Sequence, residues 1–376
     1  MGTEQHIQNT NPKNEPKLNK LFRAAIKLRA SDLHLKVDQV PKLRVTGELR
    51  NLTGETISSE KMQSLVFEII TDVQKRHFLE HGTLDFAHEV DSEHRFRVNL
   101  FRQRGMISLA ARRVESLIPS FEELHLPEVL KQICENRQGL VLVVGQTGCG
   151  KTTTIASMIN YINLTRHCHI ITIEDPIEYL FKDEKAIVSQ REIGIDTKNF
   201  EEALTYLMRQ DPDVVFVGEA RDINTITAGM RASETGHLVF GTMHSANAAQ
   251  AVHRLLDLFP QNERDLVRQT LSISIRAIIN QTLVPCIVDG IDRIPAMEIL
   301  IVNAPARKLI SEGREADLPS VIRSSEHDGM QDLTYNLCKL VQDGYIDPKD
   351  AYNHAPNKEE LKMALKGITT TTSGIL

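Results

Sequence analysis

The clearest hydrophobic pattern in the chain lies near its middle, in residues 139–162. An apolar run at residues 140–144, rich in β-branched side chains, is typical of a buried parallel strand. A glycine-rich segment follows it. A helical stripe then begins at Thr152, with its apolar side formed by Ile155, Met158, Ile159 and Ile162. This order predicts a strand, a tight loop and a helix.

Alternation of strands and helices continues to about residue 280. Apolar runs that end in polar residues predict buried strands at residues 168–175, 213–222 and 237–245. Apolar residues at helical spacing predict helices at residues 200–209, 223–233, 248–258 and 263–279. Because the links between these elements are short, we predict an α/β fold with a mainly parallel sheet. A short hairpin and several helices are predicted in residues 294–368.

The part of the chain before residue 115 also contains both helical and strand periodicity, but in a different order. Residues 18–30 carry a helical stripe, residues 31–37 alternate as a half-buried strand, and a hairpin with Pro41 and Gly47 follows. A helical period returns at residues 61–80. Three strands of an antiparallel sheet are predicted to begin near Leu84, His94 and Met106. These elements predict a smaller α+β domain.

The patterns divide the chain into five segments. We predict a disordered tail at residues 1–16, the α+β domain at residues 17–114, a linker at residues 115–126, the α/β domain at residues 127–368, and a polar tail at residues 369–376. A length of 376 residues agrees with two or more domains of roughly 150 residues each.

Composition excludes several classes of protein. The hydrophobic content of 41% and the charged content of 25% are ordinary for a globular protein. A net charge of -6 gives no overall attraction to nucleic acid or anionic lipid. No apolar run approaches the roughly 20 residues that span a bilayer, and the polar N-terminal stretch has no signal-peptide core. The five cysteines show no paired spacing, which favours a reducing cytoplasm over a disulfide framework or a zinc site.

The glycine-rich segment GQTGCGKT, residues 145–152, matches the phosphate-loop pattern G-x-x-x-x-G-K-[ST] at every fixed position. Its glycines allow a tight turn that brings backbone N–H groups close to phosphate, at the positive end of a helix. Lys151 is expected to reach the β- and γ-phosphates, and the Thr152 hydroxyl is expected to bind Mg²⁺. The predicted nucleotide-binding residues are Gly145, Gln146, Thr147, Gly148, Cys149, Gly150, Lys151, Thr152 and Thr153.

Cys149 is the unusual member of this loop. It stands beside Lys151 at a predicted helix N-terminus, a place where the pKa of a thiol tends to fall. We expect it to act as a small filler, and an oxidation-sensitive switch is the alternative.

Polar side chains end three of the predicted strands of the α/β domain. Glu174 and Asp175 end one strand, Glu219 ends the next, and His244 ends the third. In an open α/β sheet the ligand lies beyond the carboxyl ends of the strands, where acids can hold Mg²⁺ or orient an attacking water. Together with the phosphate loop, the two acidic strand ends predict a hydrolytic site. His244 can be a sensor of the γ-phosphate or a hydrogen-bonded structural histidine.

The strands of the first domain carry six arginines: Arg95, Arg97, Arg102, Arg104, Arg112 and Arg113. Most of them are expected to form a solvated face of the sheet. The functional alternative is that one or two point at the phosphates of a nucleotide, as arginine fingers do.

Taken in order, five motifs resemble those of the secretion-type ATPases of type II secretion and type IV pili: GQTGCGKTTT, IITIEDPIEY, QREIG, LMRQDPDVVFVGEARD and ASETGHLVFGTMHS. The early SDLHL and RFRVN segments resemble the PAS-like domain of the same family, so the resemblance covers residues 18–368. Within the family the chain looks most similar to the pilus retraction branch. It is short, it lacks the zinc insertion of assembly and secretion members, and it carries GMQDL and PARKLISEG segments.

This resemblance implies a RecA-like P-loop ATPase domain preceded by a PAS-like domain, in a homohexamer that uses ATP and Mg²⁺. It implies that Glu174 is the general base, that Glu219 supports Mg²⁺ and water, and that His244 senses the γ-phosphate. By match to the family motifs, Arg97 and Arg112 would reach the ATP from the first domain.

The resemblance also implies a place in the cell and a task. The family turns the platform protein of the pilus machine in the inner membrane, so the chain would be cytoplasmic and peripherally associated with that membrane at the pilus base. The main expectation is therefore a motor for pilus retraction, which underlies twitching motility. The alternatives are a motor for pilus assembly or type II secretion, a RecA-like nucleic-acid motor, and a nucleotide-binding regulator that scarcely hydrolyses.

Overall fold

The computed structural model describes residues 15–91, 93–219 and 222–368. Nearly all of the predicted tail at residues 1–16, and the whole of the tail at residues 369–376, lie outside the described residues. The chain divides into two compact units. The first comprises Met1–Leu117 with Glu178–Leu180, and the second comprises Ile118–Ile177 with Phe181–Leu376.

The first unit is built on a six-stranded antiparallel sheet. Its strands are β1 Asp32–Lys36, β2 Lys42–Val45, β3 Glu48–Asn51, β4 Thr83–Asp91, β5 His94–Gln103 and β6 Met106–Arg113, in the order β3-β2-β1-β6-β5-β4. Its helices are α1 Asn19–Lys27, α2 Ser59–Phe67 and α3 Asp72–His81. Alternate strand residues face a core that contains the fully buried rings of Phe22, Phe78 and Phe96.

The single helix predicted at residues 61–80 is wrong, because the structure has two helices there. Thr71 begins the second one with a capping box. Its backbone N–H donates to Oε1 of Gln74 at 2.9 Å, and its Oγ1 accepts from the Gln74 N–H at 3.3 Å. These bonds satisfy groups that a continuous helix would have paired internally, so the break is encoded by Thr-x-x-Gln. Gly82 then ends this helix in the left-handed conformation.

The second unit is built on a seven-stranded sheet. Its strands are β7 Gly139–Val144, β8 His169–Glu174, β9 Ile187–Glu192, β10 Val214–Val217, β11 Leu238–Met243, β12 Ile275–Pro285 and β13 Arg293–Ile301, in the order β13-β12-β7-β11-β10-β8-β9. All neighbours are parallel except β12 and β13. This arrangement confirms the predicted α/β class.

The helices of the second unit cover both faces of this sheet. They are α4 Val129–Cys134, α5 Lys151–Thr165, α6 Phe200–Leu207, α7 Ile223–Glu234, α8 Ala248–Asp257, α9 Arg264–Ser274, α10 Ala304–Ser311, α11 Leu318–Ser324, α12 Leu333–Gln342, α13 Pro348–His354 and α14 Lys358–Leu365. In β7, Leu140 and Leu142 face one core, and Val141 and Val143 face the other. The strand therefore reads as a continuous apolar run because both of its faces are buried.

The structure corrects one prediction for this unit and adds one strand. The helix predicted at residues 263–279 ends at Ser274, and the chain continues as the long strand β12. The strand β9, which contains the QREIG glutamine, was not predicted at all. In β12, a run that is buried on both faces has lost the alternation that marks a strand, so it reads like a helical stripe.

The last helices pack against the antiparallel pair of β12 and β13. The backbone N–H of Met297 in β13 donates to Oδ1 of Asn336 in α12 at 2.8 Å. Apolar residues of α12, α13 and α14 share a core with Val284 and Ile294. Within the described ranges, none of the helices combines the length and apolar character that a membrane crossing requires.

Candidate functional site

The phosphate loop connects the end of β7 to the start of α5. Residues 146–148 are exposed, while Gly145 and Cys149 are buried at the two sides of the turn. Gly145 and Gly150 have φ values of 149° and 87°, which side chains other than glycine rarely adopt. A Cβ on Gly145 would also lie 2.4 Å from the carbonyl oxygen of Gln281 in β12. The loop therefore depends on glycine for its backbone path and for its packing.

Lys151 and Thr152 begin α5, as the motif predicts. The Nζ of Lys151 donates to the carbonyl oxygens of Gly145 at 3.0 Å and Gln146 at 2.9 Å. The ammonium group is thus held over the turn by the loop itself. Lys151, Thr152 and Thr153 are all half-buried, so their side chains lie at the rim of the helix N-terminus.

Cys149 differs from the sequence expectation in one respect. Burial raises the pKa of the Cys149 thiol, and the nearby Lys151 does not reverse this shift. The prediction of a lowered pKa was wrong, because the thiol turns inward instead of facing the helix N-terminus from the solvent. Its sulfur would lie 2.7 Å from a Cβ on Gly145, so Cys149 fills the space inside the loop.

Glu174 ends β8 as a buried carboxylate, 4% exposed. Its Oε1 accepts a hydrogen bond from Oγ1 of Thr172 at 2.6 Å and another from Nε2 of Gln190 at 3.2 Å. Asp175, the next acid, is exposed. Thr172 and Gln190 were not predicted from the sequence as site residues. A polar threonine inside an apolar strand was the available signal for Thr172. Gln190 lies near Glu174 because it pairs with Thr172 between β8 and β9.

The ends of β10 and β11 bring Glu219 and His244 together. The Nε2 of His244 lies 3.3 Å from Oε1 of Glu219, and its Nδ1 lies 3.2 Å from the carbonyl oxygen of Gly145. Parallel pairing of β10, β11 and β7 places these strand ends at one edge of the sheet. The structure therefore brings the phosphate loop, Glu219 and His244 into contact.

A cavity of about 670 Å³ opens beside this cluster. It is lined by Gly145, Gln146, Thr147, His244, Ser245, Ala246, Gln250 and Arg254. Arg254, which was not predicted from the sequence, donates to the carbonyl oxygen of His244. Gln250 and Arg254 are four residues apart in α8, so they share a face of the helix, and this spacing could have indicated them.

The donors at this edge fit Mg²⁺ bound together with phosphate. In the described part of the chain, no group of three or more His, Cys, Asp or Glu side chains could hold a metal by itself. Mg²⁺ in nucleotide sites needs only one or two protein oxygens, because phosphates and waters supply the rest. The Thr152 hydroxyl and the Glu219 carboxylate are oxygen donors of the required kind.

Arg97 and Arg112 belong to the first unit, where they are direct neighbours on β5 and β6. The Nε of Arg112 donates to Oδ1 of Asp32 at 2.9 Å, and the Nε of Arg44 lies 3.6 Å from Oδ2 of the same carboxylate. Burial alone would raise the pKa of Asp32, but hydrogen bonds from Ser31 and Arg112 outweigh it and lower that pKa.

Asp32 therefore stays ionised and holds Arg112 in place. It was not selected from the sequence as a site residue. The reach of Arg97 and Arg112 toward a nucleotide stays a prediction.

A mainly parallel sheet with a glycine loop and charged groups at its carboxyl edge defines a P-loop nucleotide-binding protein of the α/β class. A family model described as "Type II/IV secretion system protein" matches residues 8–306. The chain belongs to this family of secretion and pilus ATPases.

The individual relatives agree with this assignment. The chain is 41% identical to the type IV pilus retraction ATPase PilT of Pseudomonas aeruginosa over 338 residues, which cover 90% of this chain and 98% of that protein. It is also 41% identical to a twitching motility protein of Neisseria gonorrhoeae over 323 residues, 86% of each chain. A crystal structure of the pilus retraction motor PilT with bound ADP aligns with a TM-score of 0.85 and 43% identity, covering 92% of this chain and 99% of the other. The predicted resemblance to the retraction branch is confirmed.

Proposed function

We propose that this protein is a motor ATPase that hydrolyses ATP to power the retraction of a type IV pilus. The observation that carries the ATPase part is the contact of His244 with both Glu219 and the carbonyl of Gly145, because it gathers three strand ends around the phosphate loop. The 41% sequence identity to a retraction ATPase, along nearly the whole length of both chains, supports the proposed task of pilus retraction.

Binding begins at the loop. Its exposed N–H groups and the N-terminus of α5 attract the phosphates of ATP, and Lys151 exchanges its loop carbonyls for β- and γ-phosphate oxygens. The remaining loop residues from Gly145 to Thr153 enclose the phosphate chain. When bound, Mg²⁺ would neutralise negative charge on the phosphates. The Thr152 hydroxyl and the Glu219 carboxylate would hold the ion.

Hydrolysis requires a base and a group that responds to the terminal phosphate. Glu174 accepts a proton from the attacking water. The water oxygen bonds to the γ-phosphorus as the bond between that phosphorus and the ADP oxygen breaks. The bonds from Thr172 and Gln190 fix the orientation of this carboxylate. His244 contacts the γ-phosphate, and its link to the Gly145 carbonyl transmits the presence or absence of that phosphate to the loop.

The arginines of the first unit complete the pocket in this proposal. Arg97 and Arg112 neutralise the charge that develops on the transferred phosphoryl group, as arginine fingers do. Asp32 positions Arg112 for this task. The protein works as a homohexamer, in which hydrolysis turns the two domains relative to each other.

The partner of the hexamer is the platform protein of the pilus machine in the inner membrane. We place the motor on the cytoplasmic side of that membrane, peripherally associated at the pilus base, without stable binding of nucleic acid. The family description names type II and type IV secretion systems, and a pilus assembly ATPase and a type II secretion protein are among the relatives, so a motor for pilus assembly or type II secretion is the second candidate.

Two measurements test this function. Phosphate release from Mg-ATP should be present in the wild type and absent in Lys151→Ala at an unchanged melting temperature. Hydrolysis by Lys151→Ala at the wild-type rate would refute the site.

A deletion strain should carry excess, immobile pili that the wild-type gene corrects. A strain without pili would show an assembly motor instead, and many-fold stimulation by single-stranded DNA would point to a nucleic-acid motor.

A further inference from the structure

The phosphate loop must turn some of its carbonyl groups away from the anion that its N–H groups bind. The carbonyl oxygen of Cys149 is one of these groups. It accepts a hydrogen bond of 2.6 Å from Nε2 of Gln281, a residue of β12 whose side chain is buried at 3% exposure. A side-chain amide from a neighbouring strand therefore holds the inner side of the loop.

A second hydrogen bond fixes the orientation of this amide. The Oε1 of Gln281 accepts from Oγ1 of Thr154 at 2.7 Å, and Thr154 is buried in the first turn of α5. A flipped amide would place its oxygen against the Cys149 carbonyl oxygen, which is also an acceptor. Gln281 therefore has one favourable orientation, in which it joins the loop to the helix that follows it.

The backbone of the loop also rests on Gln281. A Cβ on Gly145 would lie 2.4 Å from the Gln281 carbonyl oxygen, and a Cβ on Gly150 would lie 2.9 Å from its Nε2. The strand β12 runs parallel to β7, with Asn280 opposite Val144, so Gln281 comes level with the first residue of the loop. Two of the three loop glycines with positive φ, Gly145 and Gly150, thus pack against this one residue.

We propose that Gln281 is a positioning residue for nucleotide binding, which keeps the phosphate loop in its anion-binding conformation through the Cys149 carbonyl and the Thr154 hydroxyl. This inference rests on the proposed nucleotide site. Without the amide, the loop spends part of its time in other conformations, and the apparent affinity for nucleotide falls by the fraction of protein that remains competent.

The side chain required here is specific. A glutamate would bring a carboxylate against the Cys149 carbonyl oxygen, and an asparagine is one methylene too short to bridge both partners. A methionine has a similar length and fills the space, but it donates no hydrogen bond. Gln281→Met therefore removes the proposed function of the residue while keeping most of its packing.

Titration with ADP and steady-state kinetics with Mg-ATP test the proposal. We expect Gln281→Met to bind ADP about tenfold more weakly and to raise KM for ATP by a similar factor, with kcat changed less than about twofold. The matched control is Ile279→Val, on the same face of β12, which should lower the melting temperature slightly but bind ADP as the wild type does. A merely structural role of Gln281 would change the melting temperature alone.

Thr154 gives an independent reading if Gln281→Met does not fold. Thr154→Val should weaken ADP binding, and Thr154→Ser, which keeps the hydroxyl, should restore it. Wild-type affinity in Gln281→Met, or in Thr154→Val, would overturn the inference while leaving the nucleotide site intact. Failure of the wild-type protein to bind ADP would overturn the nucleotide site and this inference with it.

Discussion

The imidazole of His244 stands between Oε1 of Glu219, at 3.3 Å, and the carbonyl oxygen of Gly145, at 3.2 Å. One ring thus touches both an acidic strand end and the first residue of the phosphate loop. Such a position allows a side chain to respond to a terminal phosphate and to pass that response to the loop.

The first prediction concerns this histidine. His244→Ala should lower kcat by about 10- to 100-fold and change the ADP dissociation constant by less than about threefold, because its partner phosphate is present only in ATP. Steady-state hydrolysis and ADP titration measure the two effects. His253→Ala, an exposed histidine of α8 near Asp257, is the control and should behave as the wild type. An equal loss of ADP affinity in His244→Ala would show a structural histidine instead.

A second prediction tests the setting of Glu174. Thr172→Val removes the 2.6 Å bond that orients the carboxylate, so kcat should fall about tenfold while ADP binding stays unchanged. Thr172→Ser keeps the hydroxyl and should retain most of the activity. If the valine variant hydrolyses ATP as fast as the serine variant, this hydrogen bond has no part in orienting the base.

A third prediction addresses the arginines of the first unit. Arg112→Ala should reduce kcat by about 100-fold or more, since an arginine finger stabilises charge that develops only during transfer. Asp32→Asn should produce a smaller loss in the same direction, because Arg112 loses its ionic anchor. Arg50→Ala, an exposed arginine of β3, serves as the control. Full activity in Arg112→Ala would remove this residue from the proposed mechanism.

The fourth prediction is a pH dependence of stability that comes from His88. Burial lowers the pKa of His88 from 6.5 to about 4, and its Nε2 lies 2.6 Å from Oδ1 of Asn19. Between these pH values the unfolded chain binds the proton more readily than the folded chain, so stability falls as the pH drops from about 6.5 to about 4. The loss from this one group is up to about 3 kcal/mol.

Thermal melts between pH 4 and pH 7 measure that dependence. Residue 88 cannot titrate in the variant His88→Gln. The melting temperature of the first unit should therefore change less with pH in this variant than in the wild type. His327→Gln removes an exposed histidine instead and should leave the slope unchanged. Equal slopes in the wild type and His88→Gln would show that His88 is not the group responsible.

The sequence predicts most of the second unit because its signals are local. The phosphate loop needs glycines at fixed spacing, and the strands that carry Glu174, Glu219 and His244 read as apolar runs with polar ends. The strand at residues 275–285 was predicted in part as helix, since burial on both faces removes the alternation that identifies a strand.

The contacts that complete the site are not local, and for that reason they were missed. Gln190 contacts Glu174 from a neighbouring strand. Gln281 contacts Cys149 of the loop, which lies 132 residues earlier in the sequence. Asp32 and Arg112 meet across two strands that are 80 residues apart in sequence. Only the strand order of each sheet brings such pairs together, and periodicity along one segment does not reveal that order.

The most direct test of the proposed mechanism is a crystal structure with Mg²⁺ and a non-hydrolysable ATP analogue. The proposed mechanism requires the terminal phosphate to lie above the loop in contact with Lys151. His244 and the carboxylates of Glu174 and Glu219 should lie within about 3 Å of it or one bridging water away. A terminal phosphate bound far from both carboxylates would contradict the proposal that this edge of the sheet performs hydrolysis.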